Sequence, residues 1–321
     1  MYKSLPSDIK KIKLDSDLYR FHKNGMGKSE FGMDNTKTLL DNAFGLYSTR
    51  DLKKNLGPIR TQYFRISLTR EGTANFDIGL EKYSAQTNTI LFGIPGQMFS
   101  LYNVSDNFLA YYMLFSENYM ADVFSNLNKK QQYPFLTYSG LQSFNLDSET
   151  ADEIERIIMK MNLEIKENKM DCSDLIKLCI QQILLYANRC YSSVILSKNE
   201  NSKKIQNLFN SYLKAVNQYF LTIRKVSDYA KMLHVSADHL NRAIKSCSDK
   251  TAHELIDEMI LMEAKAYLLH TSLTISEISY RLVFSDPPHF NRFFKKYCAL
   301  TPVEFRNLSE PYNSKSDLGN V

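Results

Sequence analysis

The apolar positions of this chain change their period along its length. Up to residue 58 they occur only as short islands, Leu18-Tyr19, Phe21, Leu39-Leu40 and Phe44-Gly45-Leu46-Tyr47, among turn formers such as Asn24-Gly25, Asp34-Asn35 and Gly57-Pro58. That pattern predicts a partly ordered N-terminal extension over 1–58. From Tyr63 the chain reads as strand. Tyr63–Thr69 is rich in β-branched and aromatic residues, Phe76–Leu80 alternates, Thr89–Ile94 stops at Pro95-Gly96, and Phe108–Phe115 suits a buried strand. Short strands at this spacing predict a small β-barrel or sandwich, and a barrel of this size can enclose one small ligand.

The period becomes helical after Leu146. Asp147 or Ser148 caps a helix with Ile154, Ile157, Ile158, Met161 and Ile165 on one face, and Asn168-Lys169 breaks it. A second helix starts at Asp171 or Ser173 and is apolar at Leu175, Ile176, Leu178, Cys179, Ile183, Leu184 and Leu185. Two roles fit this pair: it covers the strands, or it pairs with the same helices of a second chain. The regulatory or dimerising part is thus expected over 59–196, with the polar stretch 197–202 as linker.

The remainder, expected as one domain over 203–308 before a flexible tail at 309–321, contains a pattern written twice. Val226–Ser236 and Ile275–Ser285 correspond at an offset of 49, and Leu240-Asn241-Arg242-Ala243-Ile244-Lys245 corresponds to Phe290-Asn291-Arg292-Phe293-Phe294-Lys295 at 50. The second copy therefore carries one extra residue in its turn. A fixed-period repeat implies one supersecondary unit built twice, here a helix, a tight turn and a second helix. Ser227 and Ser276 are the expected caps of the first helices, Ser236 caps the second helix of copy one, and Pro287 opens that of copy two. Small residues, Ala230 and Ser279, let paired helices approach. Leu233, Val235, Leu240 and Ile244, with Leu282, Phe284, Phe290 and Phe294, form the expected cores. The second helices then turn Asn and Arg outward, as a helix-turn-helix does toward a DNA groove.

Composition sharpens this picture in one place. Residues 202–308 hold fifteen Lys and Arg against ten Asp and Glu, which accounts for the whole-chain charge of +5. A positive balance there suits phosphate binding. Five cysteines, odd in number and without CxxC spacing, predict reduced thiols and a cytoplasmic protein, and no apolar run reaches membrane-span length. A metal site in the strand region would need clustered histidines, but His22 is the one histidine in the first 201 residues. No metal or cofactor is expected.

The motif Ile275-Ser276-Glu277-Ile278-Ser279, Phe284-Ser285-Asp286-Pro287, His289–Lys296 and Leu300-Thr301-Pro302 with Phe305-Arg306 closely resembles the DNA-binding domain of AraC/XylS-family transcription regulators. The resemblance covers about a third of the chain. It implies seven helices, with one long helix holding two reading helices in successive major grooves, and a cupin-like regulatory module in the N-terminal half. The fold class expected overall is α+β: a cupin-like β-barrel or sandwich, then helices, then an all-α double helix-turn-helix domain.

Carried onto this sequence, the family's base-approaching positions are Asp238, Asn241 and Arg242, and then Pro287, Pro288, Asn291 and Arg292. Asp238 either accepts from cytosine or is structural, and Pro288 either meets a thymine methyl or only initiates its helix. Lys245, Lys295 and Lys296 sit later and suit the phosphate backbone. His289 fits a DNA contact or a packing and capping role. The chain departs from the family at Val283, where a Gly is usual, and at Cys247-Ser248-Asp249 and Cys298-Ala299, which follow the reading helices without a Gly. A β-branched Val283 in a turn that requires positive φ would be strained, so copy one is expected to grip more firmly.

The function expected is a sequence-specific regulator, an activator, with double-stranded DNA, RNA polymerase, a small and fairly apolar effector and a second copy of the chain as partners. A second reading, an enzymatic N-terminal half fused to a DNA reader, would need a metal or nucleophile cluster, and no cysteine precedes Cys172. A third uses the basic domain to bind protein.

Overall fold

The computed structural model describes residues 29–34, 40, 43–125, 133–137, 140–196 and 200–314. Residues 1–28 of the expected extension, with the islands Leu18-Tyr19 and Phe21, lie outside the described residues, as do 197–199 of the expected linker and 315–321 of the tail. The chain divides into two compact units that part between Asn210 and Ser211.

The described residues of the first unit hold nine strands: β1 (Phe44–Ser48), β2 (Leu56–Arg60), β3 (Phe64–Glu71), β4 (Ala74–Ile78), β5 (Glu81–Ala85), β6 (Thr89–Gly93), β7 (Met98–Tyr102), β8 (Leu109–Phe115) and β9 (Ser143–Asn145). They form two antiparallel sheets, in the orders β1-β8-β3-β6-β9 and β2-β7-β4-β5. Each sheet interleaves early and late strands of the series, which is the double Greek key of a jelly roll. Among the described residues no strand hydrogen-bonds to both sheets, so the barrel-or-sandwich expectation resolves as a sandwich of two open sheets rather than a closed barrel.

Burial explains which strands were visible in the sequence. The five-stranded sheet is covered on both faces. Phe44, Leu46, Ile66, Leu68, Ile90, Phe92, Met113 and Phe115 pack under helices α1 (Glu117–Ser125), α2 (Ser148–Glu167) and α3 (Cys172–Leu196). Tyr47, Leu91, Tyr112 and Leu114 face the second sheet. Doubly covered strands read as continuous apolar runs. The four-stranded sheet is covered on one face, and its β4 alternates buried and half-buried positions.

Five strands departed from expectation, β9 among them because its three residues are too few to show an alternation. β1 and β2 lie within the stretch read as an extension. Gly57-Pro58, read as a turn, sits in β2 beside a register shift, on a sheet edge where a missing N–H is tolerated. β5 is too polar to show a strand pattern. β7 follows Pro95-Gly96 without an alternation to mark it. The space between the sheets also contains a cation: the Arg65 guanidinium lies 4.1 Å from the Phe99 ring centroid and 5.3 Å from that of Tyr112.

Local chemistry sets the helix ends. Asp147 caps α2 by accepting from the Thr150 amide at 2.8 Å, and Asn168 ends it in the left-handed region, at φ 43°. None of the five cysteines forms a disulfide.

Seven helices follow among the described residues: α4 (Glu200–Tyr219), α5 (Val226–Met232), α6 (Ala237–Ser248), α7 (Ala252–His270), α8 (Ile275–Arg281), α9 (Pro287–Cys298) and α10 (Pro302–Ser314). α4 begins inside the polar stretch read as linker, because Glu200-Asn201-Ser202 lacks a Gly or Pro to stop a helix. α7 is buried at Leu255, Ile256, Met259, Ile260, Ala264, Ala266, Tyr267 and Leu268, nearly all round its axis. A helix apolar on several sides packs against both copies of the repeat at once. Among the described residues no helix is long and apolar enough to cross a membrane.

Candidate nucleic-acid interface

Both turns of the repeat are closed by the same hydrogen bonds. In copy one the amide of His234 donates to Lys231 O at 3.1 Å and that of Val235 to Ala230 O at 3.0 Å. In copy two the amide of Val283 donates to Tyr280 O and that of Phe284 to Ser279 O, both at 3.0 Å. These are the two bonds of a Schellman motif, which requires its C′ residue in the left-handed region. His234 and Val283 occupy that position at φ 56° and 59°. The positive φ suspected from the sequence at Val283 is therefore present. The second departure has the same origin: Asp249 and Ala299 end α6 and α9 at φ 56° and 59°. Ala230 and Ser279 are buried at the close approach, as expected. The extra residue of copy two falls between its left-handed residue and its next cap, where Phe284-Ser285 stands against Val235 alone.

The reading helices start on side-chain caps. Ser236 accepts from the His239 amide at 3.1 Å, and Asp286 accepts from the His289 amide at 2.7 Å. These bonds hold the Asp286 carboxyl below its ordinary range, with the Ser285 hydroxyl adding to the effect. His289 itself stands edge-on to Phe284, ring centroids 5.2 Å apart, with Nδ1 3.2 Å from the Ser285 hydroxyl, so it packs at the start of α9.

The expected caps of the first helices are corrected. α5 starts after Lys225 without a side-chain cap, and α8 starts after Thr274, not Ser276. Thr274 and Glu277 form a capping box, as do Thr251 and Glu254 on α7, and Thr301 and Glu304 exchange the same bonds. The spacing Thr-x-x-Glu occurs at all three places in the sequence and was the signal available.

The candidate reading residues fall into two groups. Asp238, Arg242 and Lys245 are exposed and share one face of α6, four and three residues apart. Pro288, Asn291, Arg292, Lys295 and Lys296 are exposed on α9, while Pro287 is half-buried at its first position. Asn241 stands apart. Its Oδ1 accepts from the amide of Ala252 at 3.2 Å, which satisfies the first N–H of α7, and its side chain is half-buried. The structure thus gives the two asparagines of the repeat different work. Below the helices, Leu240 and Ile244, and Phe290 and Phe294, are fully buried as expected.

Two further contacts, not visible in the sequence, tie α9 and α4 to the central helix α7. The Tyr297 hydroxyl at the end of α9 donates to Asp257 of α7 at 2.5 Å, and burial raises the Tyr297 pKa well above the usual range. The Tyr212 hydroxyl of α4 donates to Ala252 O at 2.6 Å.

Residues 229–308 match the helix-turn-helix domain family. Over 250 residues the chain is 21% identical to the transcriptional activator RhaS of Escherichia coli, an alignment that takes in 76% of this chain and 85% of that one. It is 22% identical over 173 residues to the activator RhaR of Mannheimia succiniciproducens, spanning 52% of this chain and 58% of RhaR's length. Among solved structures it is similar to ToxT of Vibrio cholerae, with 15% identity, 83% and 97% coverage and a TM-score of 0.41. It is also similar to the DNA-binding domain of AdpA in complex with a target DNA, with 16% identity, 35% and 97% coverage and a TM-score of 0.30. With the doubled turn described above, the family match makes residues 229–308 a helix-turn-helix domain, similar to that of AraC/XylS-family transcription regulators.

Proposed function

We propose that this chain is a sequence-specific transcription regulator, an activator, that lays α6 and α9 into successive major grooves. The observation that carries this reading is the doubled Schellman turn, each copy followed by a capped helix with an exposed Arg and Lys on one face, Arg242 and Lys245 or Arg292 and Lys295. In such a docking Arg242, Arg292 and Asn291 meet base edges, while Lys245, Lys295 and Lys296 meet phosphates. Asp238 accepts from a cytosine amine, and Pro287 and Pro288 offer apolar contact to thymine methyls. Asn241 is engaged with α7 and contributes less to reading. The names of the transcriptional activators RhaS and RhaR support activation, and a regulator over an enzyme fused to a DNA reader; RNA polymerase is the partner such an activator would engage.

The jelly-roll unit is the sensing or pairing module in this reading. At one end of the sandwich, a cleft of about 600 Å³ is lined by Arg50, Lys54, Glu71, Asp106 and Asn107, with Phe108. That lining suits a polar small molecule more than the apolar one expected from the strands.

Fragment selection with the purified protein, followed by gel shifts against salt, tests the reading. The expected result is two contacted segments about one helical turn apart, ~10 bp, with affinity falling as salt rises. Arg242→Ala and Arg292→Ala should each lower affinity about tenfold to a hundredfold at selected sites, and less on random DNA. No binding at any salt would overturn the reading, and equal loss on both substrates would reassign the two arginines to phosphates.

A further inference from the structure

Arg224 stands two residues before α5, in the lead-in to the first copy, and its side chain reaches the second. Its guanidinium donates to the carbonyl oxygen of Leu282, the residue that closes α8, and lies 5.6 Å from the Phe284 ring centroid. Helix-end carbonyls have no partner within their own helix, so this bond meets a need of the second turn from outside it. No side chain among the described residues does the same for the matching carbonyl of Leu233 in copy one.

Both ends of the contact are anchored. On one side, Ile223 O accepts from the Tyr229 hydroxyl at 3.1 Å, and Tyr229 packs edge-on against Tyr212 of α4 at 5.4 Å. On the other, the Phe284 ring touches His289, Phe290 and Phe293 of α9, with centroids 5.1–5.4 Å apart. The N-terminal end of α9 is thus tied through Phe284 and Arg224 to the frame of copy one. Its C-terminal end is tied to α7 by Tyr297 and Asp257.

The buried Phe290 and Phe294 seat α9 on its core, and the two ties at its ends set its tilt there. We propose that Arg224 is a positioning residue that sets the distance and rotation between the two reading helices, and with them the spacing between DNA segments that this regulator accepts. The inference rests on the two-groove reading above. The lever is long enough for the effect: α9 has twelve residues, about 18 Å at 1.5 Å each, so a tilt of about 10° about Tyr297 moves its far end by about 3 Å. One base pair of added spacing shifts a site by about 3.4 Å and about 34°. Losing the Arg224 tie therefore loosens α9 on the scale of one base-pair step. Arg224 reads no base and touches no phosphate in this scheme; it acts through Phe284.

The test uses the full chain and duplexes carrying the two selected segments at their selected spacing and at one base pair more or fewer. Wild type should lose about tenfold in affinity or more at either altered spacing, the cost of a misplaced contact. Arg224→Ala should bind the selected spacing several-fold more weakly and discriminate among the three spacings by less than about threefold, with its salt slope unchanged because no phosphate contact is removed. Arg224→Lys keeps a donor but loses the planar group over Phe284, and should fall between the two. Phe284→Leu keeps the apolar volume and removes the ring, and carries the test if Arg224→Ala melts below the assay temperature. An unchanged spacing ratio in Arg224→Ala or, should it not fold, in Arg224→Lys and Phe284→Leu together, overturns the proposal and leaves the two-groove reading standing. A wild type that binds all three spacings alike overturns both.

Discussion

The two copies of the repeat share a backbone and divide its labour. Their turns are closed by the same pair of bonds and place a residue at the same positive φ, yet the groups around those turns differ. Copy one has a non-titrating Ser236 cap on its reading helix, no side-chain cap on α5, and an asparagine committed to α7. Copy two has a capping box on α8, an acidic cap on α9, an aromatic cluster around Phe284, and an exposed asparagine. Duplication preserves what the backbone demands. Side chains that do not close the turn are free to diverge, and here the asparagines, the caps and the packing around the turns have done so.

The asparagines give the sharpest way to break that comparison. Ala252 is fully buried, so Asn241→Ala leaves its N–H without an acceptor, a loss of about 1–3 kcal/mol. Asn291→Ala removes an exposed side chain and should leave the melting temperature within error while relaxing base preference at one position of the second segment. Thermal melting and fragment selection on both variants check this. If Asn291→Ala destabilises as much as Asn241→Ala, the division of labour is gone.

How much of this was legible beforehand follows the same line between backbone and side chain. Offsets of 49 and 50, the small residues Ala230 and Ser279 and the apolar positions from Leu240 to Phe294 placed the turns, because steric demand writes itself into residue size. Positive φ at Val283 could be suspected from the family resemblance alone, which has a Gly at that place. The asymmetry of Asn241 and Asn291 could not, since identical letters take different partners once α7 lies beside one of them. Arg224 was invisible because its acceptor is a backbone carbonyl 58 residues away, which no sequence pattern encodes. In the N-terminal unit the doubly covered strands β3, β6 and β8 showed as apolar runs, whereas β5 and β7 rely on neighbours for their pairing. β2 hides behind a Gly-Pro pair that reads as a turn.

The left-handed positions supply the next contrast. A β-branched residue in that region is strained by roughly 1–2 kcal/mol, whereas His is among the residues that visit it more readily. Val283 is 52% exposed, so replacing it sacrifices little burial. Val283→Gly should therefore stabilise the domain by about 1 kcal/mol after the added freedom of the unfolded chain is subtracted. For a domain of about a hundred residues that raises the melting temperature by about 4–8 °C. His234→Gly should change stability by less than about 0.5 kcal/mol, because the smaller relief is offset by the same entropy. An unchanged or lower melting temperature for Val283→Gly would show that the turn holds Val283 without strain.

The smallest expected difference comes from acid. The Glu277 carboxyl is held below its ordinary range by the Thr274 amide and hydroxyl, with Arg281 adding attraction, and Asp286 is held low by the His289 amide and the Ser285 hydroxyl, with Arg292 and His289 nearby. A carboxyl whose folded pKa lies below its unfolded value contributes stability above the unfolded value, about 4, and that contribution fades as pH falls through the folded one. Both groups cap helices of copy two. The reading helix of copy one is capped by Ser236, which does not titrate. Glu254 and Glu304 carry the same sign on α7 and α10, so the whole domain weakens in acid, but the difference between copies rests on Glu277 and Asp286. Amide exchange, corrected for its intrinsic pH dependence, should show α8 and α9 losing protection between pH 5 and pH 3 before α5 and α6 do. Glu277→Gln combined with Asp286→Asn should remove that order, since the replaced caps no longer gain a proton. Simultaneous loss in the unmodified chain would mean that the copies open as one unit, with the shared helix α7 outweighing the caps.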